Sequence, residues 1–168
     1  MSTTATRHRL DVLVENRSGV LARVANLFAR RAYNIYSLSV APTDDERFSL
    51  MEIVVEVDST PLEQIVKQLN KLIDVVKLID LSETDAIERE LMLVKTKASG
   101  EQRAEMKRLA DIFGGHVLDV TEATYTIELT GTGSKLDNFL RAIEKEAILE
   151  VVRSGATGIA LGQKALRA

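Results

Sequence analysis

The dipeptide Ser-Gly stands at the same place in two successive halves of this chain, at Ser18-Gly19 and at Ser99-Gly100. Each copy follows an alternating apolar run and precedes a stretch of helical periodicity, the mark of an internal duplication. In the first half, residues 9–15 alternate, with Leu10, Val12 and Val14 on one side, which predicts a strand. The polar turn Asn16-Arg17-Ser18-Gly19 follows, with Ser18 placed to cap a helix over residues 19–31. Val20, Val24, Leu27 and Phe28 form its inward stripe, and Arg23, Arg30 and Arg31 lie off it. Two strands come next, over residues 35–41 and 48–57, joined by the hairpin turn Pro42-Thr43-Asp44-Asp45. Thr60-Pro61-Leu62-Glu63 reads as a capping box with proline at the first helical position. Its helix carries Leu62, Ile65, Val66, Leu69 and Leu72 inward, and a strand over residues 75–81 closes the unit.

The second half repeats this order. Residues 90–96 predict a strand, and Ser99-Gly100-Glu101-Gln102 a second capping box. The helix behind it carries Met106, Leu109, Ala110 and Phe113, and Gly114-Gly115 ends it. Strands over residues 117–121 and 125–130 precede a helix capped by Ser134, with Leu136, Phe139, Leu140 and Ile143 inward, and residues 149–153 form the last strand. The expectation is an α+β chain of two ferredoxin-like βαββαβ units in tandem, two helices on one face of each antiparallel sheet. The units span residues 8–82 and 88–154, with a polar linker over 82–87 and a glycine-bearing tail over 155–168. Units this small favour pairing with a sister unit or another subunit.

Several function classes fall away. No cysteine is present, which removes disulfides, thiolate catalysis and most zinc sites. His8 and His116 lie in no ligand pattern, and no GxSxG, HExxH or GxGxxG motif occurs. Gly131-Thr132-Gly133-Ser134-Lys135 lacks the spacing of a phosphate loop and reads as a strand-to-helix turn. Metal and cofactor are therefore expected to be absent, and the chain to be non-catalytic. With a net charge of −3, it offers neither nucleic acid nor an anionic membrane an electrostatic partner. No apolar run approaches the roughly 20 residues of a membrane helix. The polar start of the chain, with no leader-like apolar stretch, points to the cytoplasm.

The best candidate for a ligand is the turn before the first helix. A helix start presents unpaired N–H groups and partial positive charge, which suit a free carboxylate. Gly19 permits close backbone approach, and Asn16 offers a donor and an acceptor to an α-amino acid head group. Asn34 beyond the same helix offers another pair, and Ile35 an apolar surface. Asn16 and Asn34 are equally ordinary turn residues, and Gly19 an ordinary helix opening.

Residues 13–24, LVENRSGVLARV, resemble the opening of an ACT domain, a sensing module of amino-acid metabolism. The continuation LFARRAYNI at residues 27–35 and SLSVAPTD at 37–44 is similar to the small regulatory subunits of acetohydroxyacid (acetolactate) synthase. So are ERELMLVK at 88–95, IFGG at 112–115, GTGSKLD at 131–137 and the closing Arg153-Ser154-Gly155. The resemblance covers nearly the whole chain and makes its first unit an ACT domain. It implies a partner, the catalytic large subunit, which carries thiamine diphosphate, magnesium and FAD. It also implies activation of that subunit and feedback inhibition by a branched-chain amino acid, usually L-valine. The effector would lie in a homodimer interface between ACT domains. Asn16, Gly19, Val20 and Leu21 would come from one chain, and Asn34 and Ile35 from the other. The chain departs from the family at Ala32, where glycine is usual; a positive φ there would cost alanine roughly 1 kcal/mol.

Three other readings share this element order. A stand-alone ACT protein controlling another enzyme or a transcription factor would match the first half, but not the family-like second half. An RNA-recognition module needs stacking aromatics on central strands and a basic sheet, whereas the third strand here offers only Phe48. A small hydrolase finds an anion-binding turn at Arg17 but no accompanying motif.

Overall fold

The structure, a computed structural model, describes residues 6–168. It consists of two compact units, one running to Ile87 and taking in Thr157–Ala168, the other Glu88–Ala156. In the first, β1 (Thr6–Glu15), α1 (Val20–Arg30), β2 (Ile35–Pro42), β3 (Phe48–Val57), α2 (Ser59–Leu69) and β4 (Val75–Asp80) give the βαββαβ order. The sheet is antiparallel in the order β2-β3-β1-β4. Alternation along β1 and β3 sends Leu10, Val12, Val14, Met51, Ile53 and Val55 into one core with Val20, Val24, Phe28, Ile65 and Leu69 from the helices. Each helix buries several large apolar side chains, on the order of 10 kcal/mol gross before chain entropy is subtracted.

The second unit comprises β5 (Ala86–Lys97, entering from the first), α3 (Gln102–Ile112), β6 (His116–Val120), β7 (Thr124–Gly131), α4 (Gly133–Ala142) and β8 (Ile148–Arg153), with strand order β6-β7-β5-β8. Met92, Val94, Met106, Ala110, Ile127, Leu129, Leu136 and Phe139 fill its core. Arg153 closes the unit by binding Glu90 through Nε and Nη2, at 2.8 and 2.9 Å, and Asp137 through Nη1 at 2.6 Å.

The structure corrects several local expectations. Ser18 does not cap α1; Gly19 occupies that position with φ 86° and no side-chain cap. Thr132, not Ser134, caps α4, its hydroxyl accepting from the Lys135 amide at 3.3 Å. The Thr60 box is displaced, because α2 begins with Asp58 at its N-cap; the Thr60 side chain lies outside the described residues. In the second box the Ser99 hydroxyl meets the Gln102 side chain at 3.4 Å, and α3 starts only at Gln102. The supposed linker is ordered as a 3-10 turn (Leu81–Glu83) running into β5, since Asp80 caps it through the Ser82 amide at 2.9 Å. Ala32 takes φ 56°, so the departure from glycine does carry strain.

The tail is also structured. Its strand β9 (Thr157–Ala160) belongs to the first unit, where the Leu161 amide just beyond it donates to Asp85 O at 2.8 Å. Gly158 lies against the sheet face opposite the helices: its amide donates to Glu52 Oε1 at 2.6 Å. A Cβ at 158 would stand 2.9 Å from the Arg9 guanidinium carbon. Arg9, Asp11, Leu13 and Glu52, which a two-layer sandwich would leave wet, are consequently buried. Among the described residues no helix is long and apolar enough to cross a membrane, and no group of acids and histidines could hold a metal ion.

Candidate functional site

The β1–α1 turn is built by the junction of β1 with its two neighbouring connections. The Asn16 amide donates to Arg47 O at 2.8 Å and its side-chain Nδ2 to Glu46 O at 2.9 Å, tying the turn to the β2–β3 hairpin. The Glu15 amide donates to Asp74 O at 2.9 Å, tying it to the start of β4. With Nδ2 used this way, Asn16 Oδ1 is left as an exposed acceptor among the described residues.

At the helix start the Val20 amide bonds Arg17 O at 3.4 Å and the Arg23 amide bonds Gly19 O at 3.1 Å. The amides of Ser18, Gly19, Leu21 and Ala22 find no protein acceptor among the described residues. These are the orphan donors of a helix N-terminus, and because Gly19 rather than a serine hydroxyl occupies the cap, nothing among the described residues satisfies them. Leu21 beside them is 46% exposed, while the Val20 side chain is buried in the core and offers only its backbone.

Two arginines and a buried acid flank these donors. Asp74 is 2% exposed; it receives Arg23 Nε at 2.6 Å, Arg23 Nη2 at 3.2 Å and Arg17 Nη2 at 3.0 Å. Arg17 also meets Glu15. The hydrogen bonds from Arg23, then those from Arg17, hold the Asp74 carboxyl below the usual carboxylate range, and the same bonding raises Arg23. Arg23 Nη1 points the other way and comes to 3.2 Å from where a Cβ on Gly19 would lie. Beyond Arg23, a cleft of about 620 Å³ between α1 and α2 is lined by Arg30, Arg31 and Lys71 with no acid, so the approach carries positive potential.

One chain does not gather all six sequence-proposed residues. Asn16, Gly19, Val20 and Leu21 meet at the N-terminus of α1; Asn34 and Ile35 follow its C-terminus, about 16 Å away along an 11-residue helix. Ile35 opens β2, an edge strand, and Asn34 is exposed with a free amide among the described residues. Sequence reasoning missed Arg23 and Asp74. Arg23 was legible as a neighbour of Gly19, being one turn on. Asp74 lies 57 residues from Arg17 and reaches the turn only because β4 pairs with β1.

The comparisons agree with this architecture. Residues 10–77 match the family described as AHAS small subunit-like ACT domain, which defines the first unit as an ACT domain. Residues 89–162 match a second family, small subunit of acetolactate synthase. The chain is 53% identical over 159 residues to the acetolactate synthase small subunit of Haemophilus influenzae, covering 94% of this chain and 98% of that one. It is 51% identical to the acetolactate synthase isozyme 3 small subunit of Escherichia coli, covering 96% and 99%. The crystal structure of the acetolactate synthase small subunit from Thermotoga maritima superposes with a TM-score of 0.85 at 35% identity, covering 95% and 99%. The chain belongs to the acetolactate synthase small-subunit family.

Proposed function

We propose that the chain is the non-catalytic regulatory subunit of acetolactate synthase, and that the β1–α1 turn senses a branched-chain amino acid, L-valine first among them. Family membership supports the subunit role. The observation that carries the sensing role is the set of unpaired amides around Gly19, in a turn otherwise fully tied down. A free α-carboxylate satisfies such donors and the dipole of α1 together. Asn16 Oδ1 stands ready for the α-ammonium group, and exposed Leu21 gives an aliphatic side chain a surface.

The separation of Gly19 from Asn34 along α1 gives this reading its quaternary form. Two copies packed antiparallel along α1 and the β2 edge would bring Asn34 and Ile35 of each to the turn of the other. An effector bound there touches both chains, so it favours whichever interface geometry fits it and biases the assembly. The catalytic large subunit, with its thiamine diphosphate, magnesium and FAD, is the partner that reads out the bias.

The test is reconstitution with the cognate large subunit, following acetolactate formation with and without valine. Gly19→Asp sets a carboxylate among the amides, and at φ 86° it also strains the backbone. It is expected to keep activation of the large subunit while losing valine inhibition by at least tenfold in inhibitor concentration. Unaltered valine sensitivity in this variant would remove the turn from the proposal.

A further inference from the structure

We infer that Arg23 is the side-chain receptor for the effector's carboxylate and that Asp74 is the positioning residue that aims it. The inference rests on the sensing role proposed above and specifies its chemistry. Its starting point is a division of labour within one guanidinium. Nε and Nη2 are occupied side-on by Asp74, at 2.6 and 3.2 Å. Nη1 carries no hydrogen bond to the protein among the described residues and lies over Gly19, 3.2 Å from a would-be Cβ. With no side chain at Gly19 to come between them, Nη1 and the unpaired backbone donors flank the same turn.

Asp74 is suited to aiming because it is buried and tied on several sides. It is 2% exposed, its own carbonyl accepts the Glu15 amide at 2.9 Å, and Arg17 shares its Oδ1 at 3.0 Å. A side-on pair fixes the plane of a guanidinium, so the remaining donor is presented in one direction with little entropy left to lose. A mobile arginine on an exposed helix turn would hold no such direction. The site then combines backbone donors with one oriented cation, and discriminates free amino acids from carboxyl-blocked ones.

The experiment is calorimetric titration of the full chain with L-valine and with L-valinamide, which keeps the side chain and ammonium but lacks the carboxylate. Arg23→Gln is expected to weaken valine by about ten- to a hundredfold, the range of one hydrogen bond to a charged group, and to leave valinamide unchanged. The preference for valine over valinamide therefore shrinks by that factor, which a merely structural defect would not do, since it weakens both. Asp74→Asn is expected to shrink it partway, with Arg23→Lys behaving likewise. If Arg23→Gln fails to fold because buried Asp74 then keeps only Arg17 as a partner, the double variant Arg23→Gln/Asp74→Asn removes both charges and carries the same expectation. An unchanged preference in the folded variant overturns the inference while leaving the sensing role standing. A wild-type chain that takes up no branched-chain amino acid overturns both.

Discussion

Replacing Asp11 with asparagine should make the first unit more stable at pH 8 and remove most of its pH dependence between 5 and 8. Asp11 is 4% exposed on the sheet face covered by β9, and it stands directly opposite Glu52, itself 6% exposed, in the β1–β3 register. Like charges so placed repel. The residues beside them across the sheet, Ile79 on β4 and Ser39 on β2, carry no charge, and neither does any residue of β9. Arg9, 6% exposed and two residues away on the same face, is the opposing cation. Burial first, then Glu52, push the Asp11 carboxyl from 3.8 up to about 7, against the pull of Arg9. That displacement corresponds to roughly 4 kcal/mol against the ionised form, an upper bound that relaxation of the unit would lower. Below about pH 4 both folded and unfolded chains hold the proton, and the cost vanishes. Between about 4 and 7 only the folded chain holds it, so stability falls as pH rises, by about 1.4 kcal/mol per pH unit, and levels off above 7. From pH 5 to 8 the wild-type unit should lose roughly 2–3 kcal/mol, whereas Asp11→Asn should stay nearly flat. Hydrogen exchange of the β1 and β3 amides, corrected for intrinsic rates, isolates this unit from the other. A wild-type slope of zero or opposite sign, or an equal slope in the variant, would refute the reasoning.

Two further outcomes follow from backbone geometry. Ala32→Gly should stabilise the first unit by about 1 kcal/mol, because glycine adopts φ 56° without the steric cost alanine bears; a lower denaturation midpoint would contradict this. Gly158→Val drives a side chain into the Arg9 guanidinium and should loosen β9, seen as faster proteolysis within residues 157–168; unchanged cleavage would count against the seating described for that strand.

Periodicity made most of the fold legible, because the apolar stripes of Val20, Val24 and Phe28 or of Leu136 and Phe139 need only local spacing to be recognised. Caps were less legible. Ser18 and Ser134 are good capping residues, yet a neighbour took each position: Gly19 by adopting a left-handed conformation, Thr132 by reaching the Lys135 amide. Local sequence does not say which of two nearby candidates the preceding strand will deliver. The tail was opaque for a different reason. Four residues of β9 carry little pattern, and what seats them is the absence of a Cβ at 158 above Arg9 and a hydrogen bond to Glu52, 106 residues away. Within the candidate site, the turn and Gly19 could be read from composition and spacing. Asp74 could not, since its role depends on β4 lying beside β1.

The proposed receptor is one that two chains complete together, and complementation measures this directly. Chains carrying Gly19→Asp and chains carrying Asn34→Ala should each bind no valine in calorimetry. Mixed after dissociation and reassociation, they should regain about a quarter of wild-type capacity, since about half of the dimers are mixed and each of those restores one of two sites. Valine uptake that stays absent in the mixture would contradict the shared site, as would full uptake by the Asn34→Ala chain alone.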